Sequence, residues 1–439
     1  MTKVPTSPSV PRMRPLSSRK PTIVSVLDVG SSKVSCIIAR LTPRAASASL
    51  PGRTHDIQVL GYGMQRARGM KSGVVIDLEQ AEHSIRLAVD AAERMADLTI
   101  ESLIVSLSAG RLRSEVFRAT VDVAGLEVDD SDIQRVLAAG GAHSVTEDRA
   151  LVHSLPTGYA LDGARGISAP RGMLGETLSV DMHIVTADAA PIRNLELAVN
   201  RCHLSVETMV AAPYASGLST LVDDEANIGC ACVDMGGGTT SIAVFADGHF
   251  CHADAIAIGG QHVTNDIARG LSTRMQDAER IKTLHGSALA TSSDEHEIVG
   301  VPSVGDDTHD IVNIPRGSLT RIIRPRIEEM LELVRDRLAA SGHAGRVGKR
   351  VVLTGGASQL TGLVEVARRI LGRNVRLGRP LGISGLPQAA KGPAFAAAVG
   401  LLIYPQVAQI EQFRPRSGRS LVPEGSYLSR VGQWLKEAW

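Results

Sequence analysis

The sequence predicts an α/β protein of two related halves, with a smaller α+β unit inserted into the first half. Three observations support this prediction. A strand, a glycine-containing loop and a second strand occur twice in the chain. Alternating strands and helices follow each copy. A segment between the copies has a different pattern of strands and helices. The 439 residues are enough for two or more subdomains with cores of their own.

The clearest copy of the strand–loop–strand pattern is residues 228–245, where one apolar run ends at Asp234 and another leaves the loop. The loop residues are Gly236, Gly237, Gly238, Thr239 and Thr240. The pattern predicts a tight β-hairpin whose backbone N–H groups approach a phosphate, because glycine has no Cβ in the way. Asp234 stands where a hydrated Mg²⁺ is held between a carboxylate and phosphates. An ordinary glycine-rich hairpin has the same local pattern, so this segment alone does not decide the function.

A second copy at residues 25–38 aligns with the first without a gap. Asp28 aligns with Asp234, Gly30 with Gly236, Ser31 with Gly237, Ser32 with Gly238, Lys33 with Thr239 and Ser35 with Ser241. Two such hairpins indicate an internal duplication in which both halves close on one nucleotide. The pair resembles the actin-like ATPase superfamily, which includes actin, sugar kinases and heat-shock chaperones.

The composition excludes several classes of protein. The 47 basic and 46 acidic residues nearly cancel, which argues against a general nucleic-acid binder. The five cysteines lack a disulfide-like spacing and are interpreted as small buried residues of a reducing cytosol. Cys230 and Cys232 share one face of a strand, but no partner pair for a metal follows them. No apolar run is long enough to span a bilayer, and no signal-peptide core is present.

Three further segments are candidates for the nucleoside side of the site. The Gly259–Gly260 turn either approaches a ligand or is a plain turn between a strand and a helix. Glu279 and Lys282 lie three residues apart on one helix face, where they reach either one ligand or each other. A buried strand ends in four residues whose flat backbone suits an adenine or a ribose, namely Gly355, Gly356, Ala357 and Ser358.

The segment from Ser102 to Met182 is predicted as the α+β insert. Strands are expected at 103–107, 116–123 and 180–185, with a helix at 131–139 that Ser131 caps. Later in the chain a helix is expected at 319–338, and a small-residue helix at 389–404. The first of these has four arginines near its start, which form either a solvated face or a contact for an acidic partner: Arg316, Arg321, Arg324 and Arg326.

The two ends of the chain differ from its body. Residues 1–22 are basic and proline-containing, which favours an unstructured tail over a transit peptide. Residues 406–424 are expected to be a linker, and residues 425–439 an amphipathic helix. The apolar face of that helix includes Tyr427, Leu428, Val431, Trp434, Leu435 and Trp439. We interpret it as an in-plane membrane anchor, and the alternative is a helix that docks on this protein or on a partner.

Together these features resemble the FtsA family of bacterial cell-division proteins, over residues 23–404 and the terminal helix. The resemblance implies an actin-like (ribonuclease H-like) duplicated fold in which a subdomain 1C stands in place of 1B. The implied boundaries are 23–101, 183–227 and 386–405 for subdomain 1A, 102–182 for 1C, 228–272 and 321–385 for 2A, and 273–320 for 2B.

The resemblance also implies a function. The family binds ATP with Mg²⁺ between its halves, polymerises head to tail, anchors filaments of the tubulin-like FtsZ to the cytoplasmic face of the inner membrane at the septum, and recruits later divisome membrane proteins. Asp28 and Asp234 would then serve Mg²⁺ through water, and both hairpins would hold phosphate. Glu279, Lys282 and residues 355–358 would meet the nucleoside, and the arginine cluster would take the FtsZ tail. The alternatives are an actin-like ATPase of pilus assembly and a small-molecule kinase of the same fold.

One departure concerns hydrolysis. In chaperones and related ATPases of this fold, a Glu precedes the proline that corresponds to Pro213, and it positions the attacking water. Here Ala212 occupies that place. The sequence therefore predicts at most slow ATP hydrolysis, with nucleotide acting as a switch of conformation and assembly.

Overall fold

The computed structural model describes residues 13, 15–45, 52–108, 111–142, 145–304 and 311–408. The predicted membrane helix, with its six apolar residues, lies outside the described residues, as does most of the predicted linker and of the N-terminal tail. Within the part that is described, no helix is long and apolar enough to cross a bilayer.

The first half of the chain contains eleven strands and five helices among its described residues. The strands are β1 (Thr22–Val29), β2 (Lys33–Pro43), β3 (His55–Arg66), β4 (Met70–Lys71), β5 (Val74–Val75), β6 (Ser102–Leu107), β7 (Arg113–Asp122), β8 (Arg149–Leu161), β9 (Ala164–Ile167), β10 (Thr177–Asp188) and β11 (Ser205–Ala211). The helices are α1 (Leu78–Ala96), α2 (Asp130–Gly141), α3 (Ala189–Asn200), α4 (Ala212–Thr220) and α5 (Asp223–Ile228).

The second half continues in the same way over its described residues. Its strands are β12 (Cys230–Met235), β13 (Thr240–Ala246), β14 (His249–Ile256), β15 (Ile298–Pro302), β16 (Ile311–Pro315), β17 (Arg350–Thr354) and β18 (Asn374–Leu377). Its helices are α6 (Gly260–Gly270), α7 (Met275–His285), α8 (Arg316–Ala340), α9 (Leu363–Leu371) and α10 (Ala396–Ile403), with short 3₁₀ turns at Gly356–Gln359, Gln388–Ala390, Pro393–Phe395 and Tyr404–Gln406.

Two five-stranded sheets share one topology. The first has the order β11-β6-β1-β2-β3 and the second the order β18-β17-β12-β13-β14. In each sheet three antiparallel strands are followed on one side by two parallel strands. The hairpin registers also agree, since Asp28 pairs with Ser35 and Asp234 pairs with Ser241. The predicted hairpins are confirmed, and the matching topologies support the duplication.

Helices α4 and α10 pack on each other at the junction of the halves, and both consist almost wholly of buried small or apolar residues. A Cβ on Gly400 would overlap the backbone of Ala215, so glycine is needed for this approach. Pro393 begins a 3₁₀ turn before α10, so the single helix expected at 389–404 is wrong and is replaced by two 3₁₀ turns and the shorter α10.

The insert is a four-stranded sheet of order β7-β10-β8-β9 with α2 packed on it. The prediction that the insert begins at Ser102 needs correction, because β6 pairs in parallel with β1 and β11 and so belongs to the first sheet. Ser131 does not cap α2 either. The carboxylate of Asp129, whose backbone is extended, accepts hydrogen bonds from the N–H groups of Ser131 and Asp132.

The described residues next to the chain ends pack on the first half. Met13 is buried, and Leu16 packs against the hydrophobic core around the first sheet. The carbonyl of Ser17 is 3.1 Å from His55 Nε2. Gln406 is buried, and its Oε1 accepts a hydrogen bond from the His55 N–H. The predicted tail therefore joins the body well before residue 22, and the predicted linker does not begin at 406.

Candidate functional site

The tips of the two hairpins meet. A Cβ on Gly238 would lie 2.7 Å from Ser31 Cβ, and one on Gly237 would lie 3.0 Å from Ser32 Cβ. A real Cβ atom essentially never lies within 3.0 Å of another heavy atom of this kind, so a residue other than glycine at 238 would force the two tips apart. Gln261 at the start of α6 donates from Nε2 to the Ser31 carbonyl at 3.3 Å, which adds a polar link between the halves.

Asp28 and Asp234 lie at equivalent strand ends beside these tips. Asp28 Oδ1 accepts a hydrogen bond from Ser106 Oγ at 2.7 Å, and Asp234 Oδ2 accepts one from Ser216 Oγ. Among the described residues, the second oxygen of each carboxylate has no hydrogen-bond donor. One serine therefore orients each carboxylate and leaves an oxygen for another ligand.

The electrostatics of the site combine these two acids with Lys33. Burial raises the pKa of Asp234 to about 6, and the nearby Asp28 adds to this shift, while the Ser216 hydroxyl and Lys33 oppose it. Burial also lowers the pKa of Lys33 to about 8, against the attraction of both aspartates. Burying the charges of Asp234 and Lys33 next to each other therefore costs free energy, which a bound cation and polyanion would relieve.

A cavity of about 160 Å³ opens between the halves. The hairpins contribute to it Asp28, Gly30, Ser31, Ser32, Lys33, Asp234, Gly236, Gly237, Gly238, Thr239 and Ser241, and the remaining lining residues are Ser108, Ala212, Gly355, Gly356, Ala394 and Ala397. Its carboxylates are Asp28 and Asp234, and Ala212, which precedes Pro213, also lines it. Backbone N–H groups of glycines, hydroxyls, one lysine and two carboxylates are the groups that suit a polyphosphate with Mg²⁺.

Three predicted residues support the second hairpin instead of lining the cavity. Thr240 is buried and donates from Oγ1 to the Ile258 carbonyl at 2.8 Å, so its hydroxyl is not directed at the cavity. The Gly260 N–H donates to the Gly236 carbonyl at 2.9 Å, and a Cβ on Gly259 would lie 2.6 Å from the same oxygen. The Gly259–Gly260 turn thus holds the loop of the second hairpin in place through Gly236.

Glu279 and Lys282 on α7 contact each other. Lys282 Nζ donates to Glu279 Oε2 at 2.7 Å and to the Gly260 carbonyl at 3.1 Å. Their helix is therefore tied to the turn that supports the second hairpin. The Gly355–Ser358 turn lies alongside, since a Cβ on Gly260 would be 3.0 Å from Ala357 Cβ. Gly355 has a φ of +85° and lines the cavity with Gly356, whereas Ser358 is buried and donates to the Gly355 carbonyl.

The arginine cluster is divided by its partners. Arg316 pairs with Glu297 and Arg326 with Asp266, so both hold the fold together. Arg324 pairs with Glu328. Arg321 is exposed and donates to Ser318 Oγ, and it forms no ion pair within the described residues.

Sequence reasoning missed the serines that orient the carboxylates and the turn that contributes Ala394. The duplication itself contains a signal for Ser106. The parallel register of β1 with β6 places Ser106 beside Asp28, just as Thr354 pairs with Asp234 in the second sheet. Ser216 and Ala394 have no such signal, because helix packing brings them to the site.

Comparison with known structures identifies the class of fold. The chain is similar to the PilM–PilN type IV pilus biogenesis complex (TM-score 0.58, 15% identity, 87% of this chain and 98% of that chain). It is also similar to MreB5 of Spiroplasma citri bound to ADP (TM-score 0.50, 13% identity, 88% and 97%). The fold is therefore that of the actin-like ATPases.

Comparison with known sequences identifies the family. The family described as "Cell division protein FtsA" matches residues 231–400, and "SHS2 domain inserted in FTSA" matches residues 109–186. The chain is 61% identical over 432 residues to cell division protein FtsA of Rhizobium meliloti (strain 1021), covering 98% of each. It is 33% identical over 422 residues to that of Escherichia coli (strain K12), covering 94% of this chain and 98% of that protein. The chain belongs to the FtsA family of cell-division proteins.

Proposed function

We propose that this protein binds ATP with Mg²⁺ between its halves, polymerises head to tail, and anchors FtsZ filaments to the cytoplasmic face of the inner membrane at the septum. The observation that carries the nucleotide part is the meeting of two equivalent hairpins at one cavity that contains Asp28, Asp234 and Lys33. Membership of the FtsA family supports the role in division.

The residues of the cavity suggest how the nucleotide is held. The free oxygens of Asp28 and Asp234 would bind the water shell of Mg²⁺, which supplies charge neutralisation for the phosphates. The N–H groups of both hairpin loops would donate to phosphate oxygens, and Gly355 and Gly356 would face the nucleoside. Glu279 and Lys282 would act from the neighbouring wall, where they hold the Gly260 turn.

Attachment to the membrane rests on the terminal helix, residues 425–439. Its apolar face with two tryptophans suits a bilayer interface, and Arg430 and Lys436 suit anionic headgroups. One helix of this kind binds reversibly, so stable attachment needs several linked copies. Polymerisation of this protein would supply them, and the filament would then recruit FtsZ and later divisome membrane proteins.

The nucleotide part is tested by titration calorimetry with ATP and Mg²⁺. The double variant Asp28→Asn with Asp234→Asn is expected to lose at least about tenfold in ATP affinity, because it removes both carboxylates. The control is Asp56→Asn with Asp247→Asn, two aspartates whose side chains are about 70% exposed. Equal ATP affinity of the wild type and the Asp28/Asp234 variant would remove the basis of the proposal.

The membrane part is tested by co-sedimentation with vesicles that contain anionic lipid. Full-length protein is expected to sediment with the vesicles, and a chain that ends at Glu424 is expected to stay in the supernatant. Equal sedimentation of the two proteins would contradict the anchor and favour docking of the helix on protein.

A further inference from the structure

Carbonyls of the turn before α10 and of the first residue of α10 accept hydrogen bonds from both halves. The Pro393 carbonyl accepts from the Gly355 N–H at 3.1 Å, and the Ala394 carbonyl accepts from Lys33 Nζ. The Ala396 carbonyl accepts from Ser219 Oγ at 2.7 Å. This turn therefore joins the first hairpin to the Gly355–Gly356 loop. Ala394 of the turn also lines the cavity.

Phe395, in the same turn, contacts Lys33, which lines the cavity. Lys33 Nζ lies 3.3 Å from the centroid of the Phe395 ring, well within the range of a cation–π interaction. Phe395 is buried, and Tyr62 packs against it edge to face with the ring centroids 5.8 Å apart. The ring is thus held by burial and by Tyr62, and it presents its face to the ammonium group.

The position of this ammonium group matters because two carboxylates are close enough to attract it. Asp28 and Asp234 both stabilise the charged form of Lys33. Within the described residues, however, Lys33 forms no ion pair with either aspartate. If the ammonium moved onto the carboxylates, it would neutralise the oxygens that a divalent cation needs.

We propose that Phe395 is a positioning residue for phosphate binding. Its ring and the Ala394 carbonyl hold the Lys33 ammonium on the cavity wall, away from Asp28 and Asp234, so that it meets the phosphate chain of a nucleoside di- or triphosphate. The inference rests on the proposed nucleotide binding and adds a residue that no sequence motif marks.

The test is a double-mutant cycle measured by calorimetry with ATP, ADP and adenosine in the presence of Mg²⁺. Phe395→Met keeps most of the side-chain volume but removes the π face, and Phe395→Tyr keeps the face. Phe395→Met is expected to lower affinity for ATP and ADP by roughly 2- to 30-fold, the range of cation–π contacts. Adenosine affinity is expected to stay within about twofold, and Phe395→Tyr to bind ATP like the wild type.

Lys33→Met is expected to lower ATP affinity as well, and the addition of Phe395→Met to Lys33→Met should cause no further loss. The matched control is Phe250→Met, because Phe250 is equally buried but stacks on Tyr214 away from the cavity. It should leave ATP affinity unchanged, with thermal unfolding used to compare the stability of all variants.

Several results would overturn the inference. These are equal ATP affinities of Phe395→Met and Phe395→Tyr, a parallel loss for adenosine, or additive effects of the Lys33 and Phe395 substitutions. If Phe395→Met does not fold, the test rests on Lys33→Met. Unchanged ATP affinity of that variant would reject the positioning role of Phe395. A wild-type protein that binds no ATP would instead refute the proposed function.

Discussion

Gly238 of the second hairpin packs directly against Ser31 of the first, so that a methyl group on Gly238 would lie 2.7 Å from Ser31 Cβ. The two residues are about 200 positions apart and belong to different sheets. Their contact is where the two halves of the chain meet at the cavity, and it makes the closeness of the halves depend on the absence of one side chain.

Gly238→Ala is therefore expected to separate the hairpin tips. Overpacking of this kind costs about 1–3 kcal/mol, so ATP affinity measured by calorimetry should fall about tenfold. Adding Ser31→Gly should restore most of the affinity, because it removes the opposing side chain. Gly141→Ala, at a position with no neighbour within 4 Å, serves as the control. Unchanged ATP binding by Gly238→Ala would show that the tips need not touch.

Asp234 is expected to reduce the stability of the protein at neutral pH. Its pKa is raised to about 6 in the folded state, from an ordinary value of 3.8, so the folded protein binds the proton more tightly than the unfolded chain. The free energy of unfolding should therefore fall as the pH rises from about 4 to 6. Above pH 6 the full destabilisation by the ionised Asp234 is present. In buffer without Mg²⁺ or nucleotide, Asp234→Asn should raise the free energy of unfolding at pH 7.5 by on the order of 1–3 kcal/mol.

The measurement is denaturant unfolding of wild type and Asp234→Asn at pH 7.5 and at pH 4, where the advantage of the variant should disappear. Asp247→Asn is the control, because that carboxylate is exposed and pairs only with Arg346 among the described residues. A less stable Asp234→Asn at pH 7.5 would mean that the carboxylate holds the cavity together even without Mg²⁺.

Arg321 is the arginine of the cluster that is best placed to meet an acidic peptide. Arg321→Glu is expected to weaken binding of a synthetic FtsZ C-terminal tail by about tenfold or more in fluorescence anisotropy, because it reverses an exposed charge. Arg324→Glu, which also removes the ion pair between Arg324 and Glu328, should weaken binding as well. Arg335→Glu, farther along the same helix, is the control. If Arg321→Glu binds the tail as the wild type does, the site lies elsewhere.

Hydrolysis of ATP is expected to be slow. Ala212 lines the cavity and offers no carboxylate to position water, and under the proposed function Asp28 and Asp234 would serve Mg²⁺. Purified protein should turn over more slowly than about one ATP per second, the low end of common enzymes, in a phosphate-release assay with Mg²⁺. The Asp28→Asn/Asp234→Asn protein measures the background. Sustained faster turnover would mean that another group activates the water.

Local sequence determined the hairpins, the duplication and the two aspartates, because a strand that ends in Asp and glycines needs only its neighbours to form a turn. It also predicted helices close to α2 and α8. In both hairpins the Asp pairs with the Ser seven residues later, Asp28 with Ser35 and Asp234 with Ser241. This agrees with the alignment of the two copies in the sequence.

Tertiary structure decided which side chains complete the site. Ser216 reaches Asp234 from α4, and Phe395 reaches Lys33 from a turn 362 positions away in the sequence. It also assigned β6 to the first sheet, paired Lys282 with Glu279, and left Arg321 exposed while it paired Arg316 and Arg326. These outcomes depend on how sheets and helices pack across long sequence separations, which no local pattern encodes.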